Sequence, residues 1–245
     1  MTIEQILVIA LAFTVAGVAK GAIGIGMPPI AIGIMTFRVP LADALALLTI
    51  PTLLTNINQA FTGGHFRPLL RRFRSMAVMS AIGVLGAGFL LGKLGSPSMI
   101  AWLGVVLTIY AAIALFAWRP VMPIAHEYWG NPLVGLASGV VAGITGMAAV
   151  PFLPYMQSLQ LTRNDLVQGL GIMFLVIMVA LAVALVQQNI FTQDNALGSA
   201  LALAPTFLGV TIGNRIRHAA SPETFRKIFL AGMLALGLNM ASGLL

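Results

Sequence analysis

One basic side chain lies deep inside an apolar run: Lys20, flanked by Val18-Ala19 and Gly21-Ala22. Burying an ammonium there costs at least ~2.5 kcal/mol unless it snorkels to an interface or finds a partner. A cation so placed either holds an anionic solute or snorkels from a tilted helix. Around it, Gly21, Gly24, Gly26 and Pro29 leave backbone N–H groups open to close approach by a ligand. Further on, Thr49, Thr52, Asn56 and Gln59 recur at i, i+3, i+7 and i+10, one helical face, with Pro51 loosening the backbone bonds among them. A polar stripe in an apolar helix lines a solute pathway or bonds neighbouring helices. The second half of the chain offers Gly143, Gly146, Pro151 and Gln168, with Met173, Phe174 and Met178 where the first half has its stripe, so a site drawn from both halves is asymmetric. Together these residues form the expected substrate-binding set.

The other chemistry-bearing residues point elsewhere. Asp43 and Asp165 could act as a proton-relay pair, but each follows a short turn at the start of an apolar span. There a carboxylate satisfies free N–H groups and the helix dipole, and Thr162 with Asp165 has capping-box spacing. His65, His126 and His218 are scattered among linkers and span ends, and Cys is absent, so no metal site and no cofactor are expected. Ser138 lies mid-span without a histidine at similar depth, which disfavours an intramembrane hydrolase.

The elements that must position these residues repeat. Gly17 to Phe37, GVAKGAIGIGMPPIAIGIMTF, aligns with Gly139 to Leu159, GVVAGITGMAAVPFLPYMQSL. The alignment pairs Gly17 with Gly139, Gly21 with Gly143, Gly24 with Gly146, Pro29 with Pro151 and, beyond, Asp43 with Asp165. Each copy reads as an apolar helix with a glycine face, a Gly/Pro break and a short second segment, a broken or re-entrant membrane hairpin. The glycines serve equally well as a helix-packing seam.

Composition sets the setting. Of 245 residues 59% are hydrophobic and 8% charged, with a mean hydropathy of +1.00, outside the range of soluble domains. The chain is expected to be an all-α polytopic membrane protein. Its net charge of +7 sits mostly between apolar spans, which suits topology and contact with membrane lipid rather than nucleic acid. Glu4 stands where a signal peptide would carry basic residues, so the first segment is expected to be retained.

The expected layout is a first repeat at 1–118, a linker at 119–131 and a second repeat at 132–245, each repeat a hairpin followed by three transmembrane helices. The spans fall at about 41–63, 75–94 and 98–118, then 164–187, 195–216 and 224–244, with Ser96-Pro97 and Ser221-Pro222 opening the last span of each repeat. If each hairpin returns to its starting side, Arg67, Arg71, Arg72, Arg74, Arg119, Arg163, Arg215, Arg217, Arg226 and Lys227 share one side. Only Arg38 and Lys93 lie opposite, the asymmetry that cytoplasmic loops show. The two repeats are then inverted, an arrangement in which half-helix ends meet near the midplane.

The Gly-rich hairpin, Pro28-Pro29, the Asp-bearing turn, the run Leu53 to Asn56 and Gln59 ahead of an Arg-rich loop, with DLVQGLGIMFLV at Asp165 to Val176, resemble the TauE/SafE sulfite exporter family over essentially the whole chain. The resemblance implies transport of small sulfur oxyanions or organosulfonates, usually outward, through a bacterial-type inner membrane. It departs from the family at Gly24-Ile25-Gly26-Met27 and Met147-Ala148-Ala149, where a longer glycine run is common. The family is also usually drawn with eight crossing helices. No ATP-binding loop is present, so a secondary carrier is expected. Its partners would be a small anionic substrate and lipid, and a homo-oligomer stays open. The competing readings are a cation or metal transporter and a non-transporting assembly subunit.

Overall fold

A computed structural model describes residues 2–24, 26–90, 97–115, 121–146, 150–219 and 222–242. All regular structure among them is helical. Lys93, Ser96, Arg119, Ser221 and the run Met147-Ala148-Ala149 lie outside the described residues.

Helix α1 (Ile3–Ile23) opens on a capping box in which Thr2 and Gln5 exchange side-chain and backbone bonds. It ends on Gly24 at φ +85°, whose N–H returns to the Lys20 carbonyl. The short α2 (Met27–Met35) follows, opened by Gly26 at φ +93° and by Pro28 and Pro29 in its first turn. Next comes α3 (Leu41–Phe61), with Pro51 inside it. The Arg-rich stretch expected as a loop is helical: α4 (Phe66–Arg72) and α5 (Arg74–Leu90) are separated at Phe73 alone. Arg67 and Arg71 are exposed while Leu69 is buried, the pattern of an amphipathic turn lying on a surface. α6 (Pro97–Leu115) opens on its proline.

After a 3-10 turn at Ile124–His126, α7 (Glu127–Thr145) starts inside the stretch read as linker and carries Pro132 within it. Like α1, it ends on a left-handed glycine, Gly146 at φ +70°, bonded to the Ala142 carbonyl. The short α8 (Phe152–Ser158) and then α9 (Arg163–Gln187) follow. The span expected at about 195–216 is two helices, α10 (Gln193–Leu201) and α11 (Leu203–Ala219), and α12 (Pro222–Ala241) closes the chain.

By length and composition, four segments among the described residues can cross a membrane: Ile3–Ala22, Leu41–Phe61, Arg163–Gln187 and Gln193–Ile216. The apolar helices Arg74–Phe89, Met99–Leu115 and Leu230–Ala241 are shorter. α1 is apolar on every side: Ile3, Leu7, Leu11 and Val15 are exposed while Ala12, Phe13 and Ala16 are buried. Between Glu4-Gln5 at its start and Lys20 near its end, a helix with apolar residues all round suits lipid on one side and protein on the other.

The chain forms two compact units, one of Met1–Thr52, Gly95–Phe116 and Asn189–Leu245, the other of Leu53–Leu94 and Ala117–Gln188. In the first, α1 packs along α11, α2 folds back on α1, and α6 packs on α12. In the second, α7 packs along α5, and α4, α5 and α8 gather around α9. Both main seams are made by missing side chains. A Cβ on Gly17 would collide with the Thr206 carbonyl, on Gly21 with that of Val210, and on Gly209 with that of Thr14. In the second unit a Cβ on Gly139 would collide with the Ser80 carbonyl, on Gly143 with that of Val84, and on Gly83 with that of Leu136. The contacts advance along both helices of each pair, so each pair runs parallel, with backbones in van der Waals contact. In each unit the glycine-bearing hairpin helix thus packs on a helix from the other half of the chain.

Each hairpin is closed at its open end. Arg38, just past α2, donates from Nε to Glu4 Oε1 at 2.6 Å, and Gln5 donates to the Arg38 carbonyl at 3.3 Å. In the second hairpin the Met122 N–H donates to the Ser158 carbonyl at 2.9 Å.

Candidate functional site

The expected site residues fall into two groups. Lys20, Gly21, Gly24, Gly26, Pro29, Thr49 and Thr52 belong to the first unit; Asn56, Gln59, Gly143, Gly146, Pro151 and Gln168 belong to the second.

In the first group, Lys20 is half-buried in the last turn of α1, one turn before the hairpin tip, where a cation is favoured by the free carbonyls of the helix end. Gly24 and Gly26 form that tip. A Cβ on Gly24 would meet nothing within 4 Å, so the tip backbone is open to an approaching group. Its left-handed φ, rather than crowding, is what calls for glycine there. Gly21, by contrast, is pressed against α11 and has no open face. α2 presents its N-terminus to the same tip, but Pro28 and Pro29 remove two of the N–H groups that a helix start would offer to an anion. Lys20 is therefore the strongest attractor of negative charge at this tip.

Thr49, Thr52 and Asn56 share one buried face of α3. Thr49 donates to the Leu45 carbonyl one turn back at 3.1 Å, which leaves its oxygen able to accept.

In the second group, Gln59 and Gln168 face each other across α3 and α9 and are both engaged. Gln59 donates to the Val167 carbonyl at 2.9 Å, while Gln168 donates to the Ala60 carbonyl at 2.9 Å and accepts the His65 N–H at 3.0 Å. These two amides clasp the helices together, with Gly171 seated against the backbone of Gln59 and Ala60. Gly143 lies in the α5–α7 seam. Gly146 caps α7, and Pro151, after a cis peptide, precedes α8.

Asp43 sits in the first turn of α3. Asp165 occupies the aligned place in α9: its N–H donates to the Thr162 hydroxyl at 3.1 Å, the hydroxyl donates to Asp165 Oδ2 at 2.7 Å, and His65 Nδ1 lies 2.7 Å from Oδ1. Asp165 thus fastens the loop after α3 to the start of α9.

Two polar clusters carry no advance signal in the sequence. Arg72, at the end of α4, donates from Nε and Nη2 to the buried Glu127 at 2.8 and 2.5 Å. That bond holds the guanidinium above its ordinary value. Beside it, Asn131 donates to the Arg72 carbonyl at 3.2 Å and accepts from the Tyr155 hydroxyl at 2.8 Å, which ties the short arm α8 to α7. Arg72 is one of several arginines there, and its partner lies in what reads as a linker. The second is the Ser199 hydroxyl of α10 with the Leu47 carbonyl and Ile50 N–H of α3. The hydroxyls of Ser80 and Ser138, buried in the α5–α7 seam, have no hydrogen-bond partner among the described residues.

A cavity of about 250 Å³ in the first unit is lined by Ile6, Ile9, Leu47, Gly198, Leu201 and Pro205 among others. Its lining is apolar and does not suit an anion. Among the described residues no group of three or more His, Asp or Glu side chains is placed to hold a metal ion.

An all-helical set of described residues with helices apolar and long enough to cross a membrane points to a helical membrane protein. The model of the sulfite exporter TauE/SafE family matches residues 9–240, and the chain belongs to that family. No curated protein and no solved structure matches it.

Proposed function

We propose that the protein is a secondary carrier that exports a small sulfur-containing anion, such as sulfite, a sulfonate or a related organosulfur acid, across the inner membrane. The observation that carries this reading is Lys20 in the last turn before an open glycine tip, within a chain whose family is that of sulfite exporters. Lys20 is the counter-charge, the Gly24 backbone allows close approach, and Thr52 supplies a hydroxyl, while the Thr49 proton is committed to the Leu45 carbonyl. In the second unit Gln59 and Gln168 clasp α3 to α9, and Gly143 packs α7 on α5. Asp43 and Asp165 serve as helix-start residues rather than as a relay.

The topology follows from the same features. Because Glu4 at the start of the first hairpin bonds Arg38 at its end, and the Met122 backbone ahead of α7 bonds the Ser158 carbonyl at the end of α8, each hairpin is read as returning to its starting side. The second arms support this: α2 and α8 contain nine and seven helical residues, about 14 and 11 Å of helix at ~1.5 Å per residue. The Arg-rich side is then cytoplasmic and the two repeats are inverted. For a monovalent anion, an inside-negative potential drives export at ~2.3 kcal/mol per charge per 100 mV, so no coupling ion is needed.

Flux in proteoliposomes tests the reading, scanning sulfite, sulfate, thiosulfate and short sulfonates with the membrane potential clamped at two values. Saturable flux of one sulfur anion that accelerates when the potential opposes its retention is expected. Folded protein that moves none of them would exclude the substrate class and return the cation and assembly readings to the front.

A further inference from the structure

Pro51 has no N–H, so in a regular α-helix the Leu47 carbonyl one turn earlier would go without a donor. Here the Ser199 hydroxyl of α10 donates to that carbonyl at 2.7 Å, while its oxygen accepts the Ile50 N–H at 3.0 Å. One side-chain hydroxyl is thus inserted into the backbone ladder of α3 on both sides of the gap. Ser199 is fully buried, which keeps water from substituting for it. Two further observations concern motion. α3 leaves the first compact unit at Thr52 and enters the second at Leu53, immediately past the proline. The apolar cavity of about 250 Å³ borders the insertion through Leu47 and Gly198, so the helix has free volume beside its break. Proline breaks whose freed groups are re-satisfied by a serine are a tolerated device within membrane helices, and a carrier needs a helix that can take two arrangements.

We infer that Ser199 is a positioning residue that latches a hinge at Pro51. Its hydroxyl completes the α3 ladder and holds Thr49 and Thr52 in register, and its release lets α3 flex where the chain passes between units. The transport part of this inference rests on the carrier reading; the backbone part does not.

Amide hydrogen exchange on the full-length protein in detergent, read at Ile50, separates the two. Ser199→Ala is expected to speed exchange at Ile50 at least tenfold and to lower the turnover of anion flux with KM held within twofold, and Ser199→Thr to restore both. In a Pro51→Ala background residue 51 supplies its own N–H to Leu47 and the regular ladder offers the Ala46 carbonyl to the Ile50 N–H, so adding Ser199→Ala should change Ile50 exchange less than twofold. If Ser199→Ala alone does not fold, Ser199→Cys, a weaker donor, gives the same reading. Unchanged exchange in Ser199→Ala, or an equal effect in both backgrounds, would overturn the latch whatever the flux does. Faster exchange with unchanged turnover would overturn the hinge. The expected exchange pattern in a protein that moves no sulfur anion would uphold the latch and remove the carrier reading instead.

Discussion

At the scale of single residues, Lys20 bears the most weight. Its aligned partner in the second hairpin is Ala142, so the positive charge stands at one tip only. If that charge holds the anion, Lys20→Met raises the KM for flux at least tenfold at normal expression, and Lys20→Arg keeps it within a few-fold; concentration-dependent flux in vesicles measures both. Equal KM in the methionine variant would assign Lys20 to snorkelling. The sequence made Lys20 visible because a lone cation in an apolar run is costly wherever it stands. It did not disclose Ser199 or the Arg72–Glu127–Asn131–Tyr155 cluster. A buried serine looks like any other small residue in an apolar span, and an ion pair joining residues more than fifty positions apart leaves no local spacing to read. Gln59 and Gln168 were legible as polar residues on helix faces, but only their partners reveal that each amide is engaged with the opposite helix.

At the scale of elements, the glycines divide into two kinds that spacing alone does not separate. Those of the seams need glycine for lack of room, and those of the tips need it for backbone angle. Gly21→Ala would push a methyl into the α11 backbone and is expected to cost about 3 kcal/mol. Gly24→Ala meets only the strain of a left-handed φ, about 1 kcal/mol. Thermal unfolding in detergent should rank Gly21→Ala well below Gly24→Ala, and the reverse order would refute the division. The helices and the Gly/Pro breaks between them were legible because apolar runs and Gly/Pro signals are local. Helix ends drifted where proline was read as a boundary: Pro132 lies inside α7, whose start at Glu127 is favoured by an acidic first turn. The Arg-rich stretch reads as loop by charge, yet Leu69 gives α4 a buried edge on which to form.

At the scale of the molecule, closed hairpins predict sidedness. Single cysteines in the naturally cysteine-free chain, Glu4→Cys and Arg38→Cys, should label from one side of the membrane and Arg67→Cys from the other. Glu4 and Arg38 labelling from opposite sides would contradict hairpin closure. The packing partners of the glycine-bearing helices were not legible, since nothing local tells α1 to choose α11 over α5, which also carries glycines. That choice has a cost in time. The seat for Gly17 and Gly21 includes Thr206 and Val210, roughly 190 residues downstream, which at about 5–20 residues per second is roughly 10–40 s of translation. Throughout that interval the glycine stripe of the first helix lacks the backbone it packs against, so a nascent chain stalled before α11 is an unfinished fold.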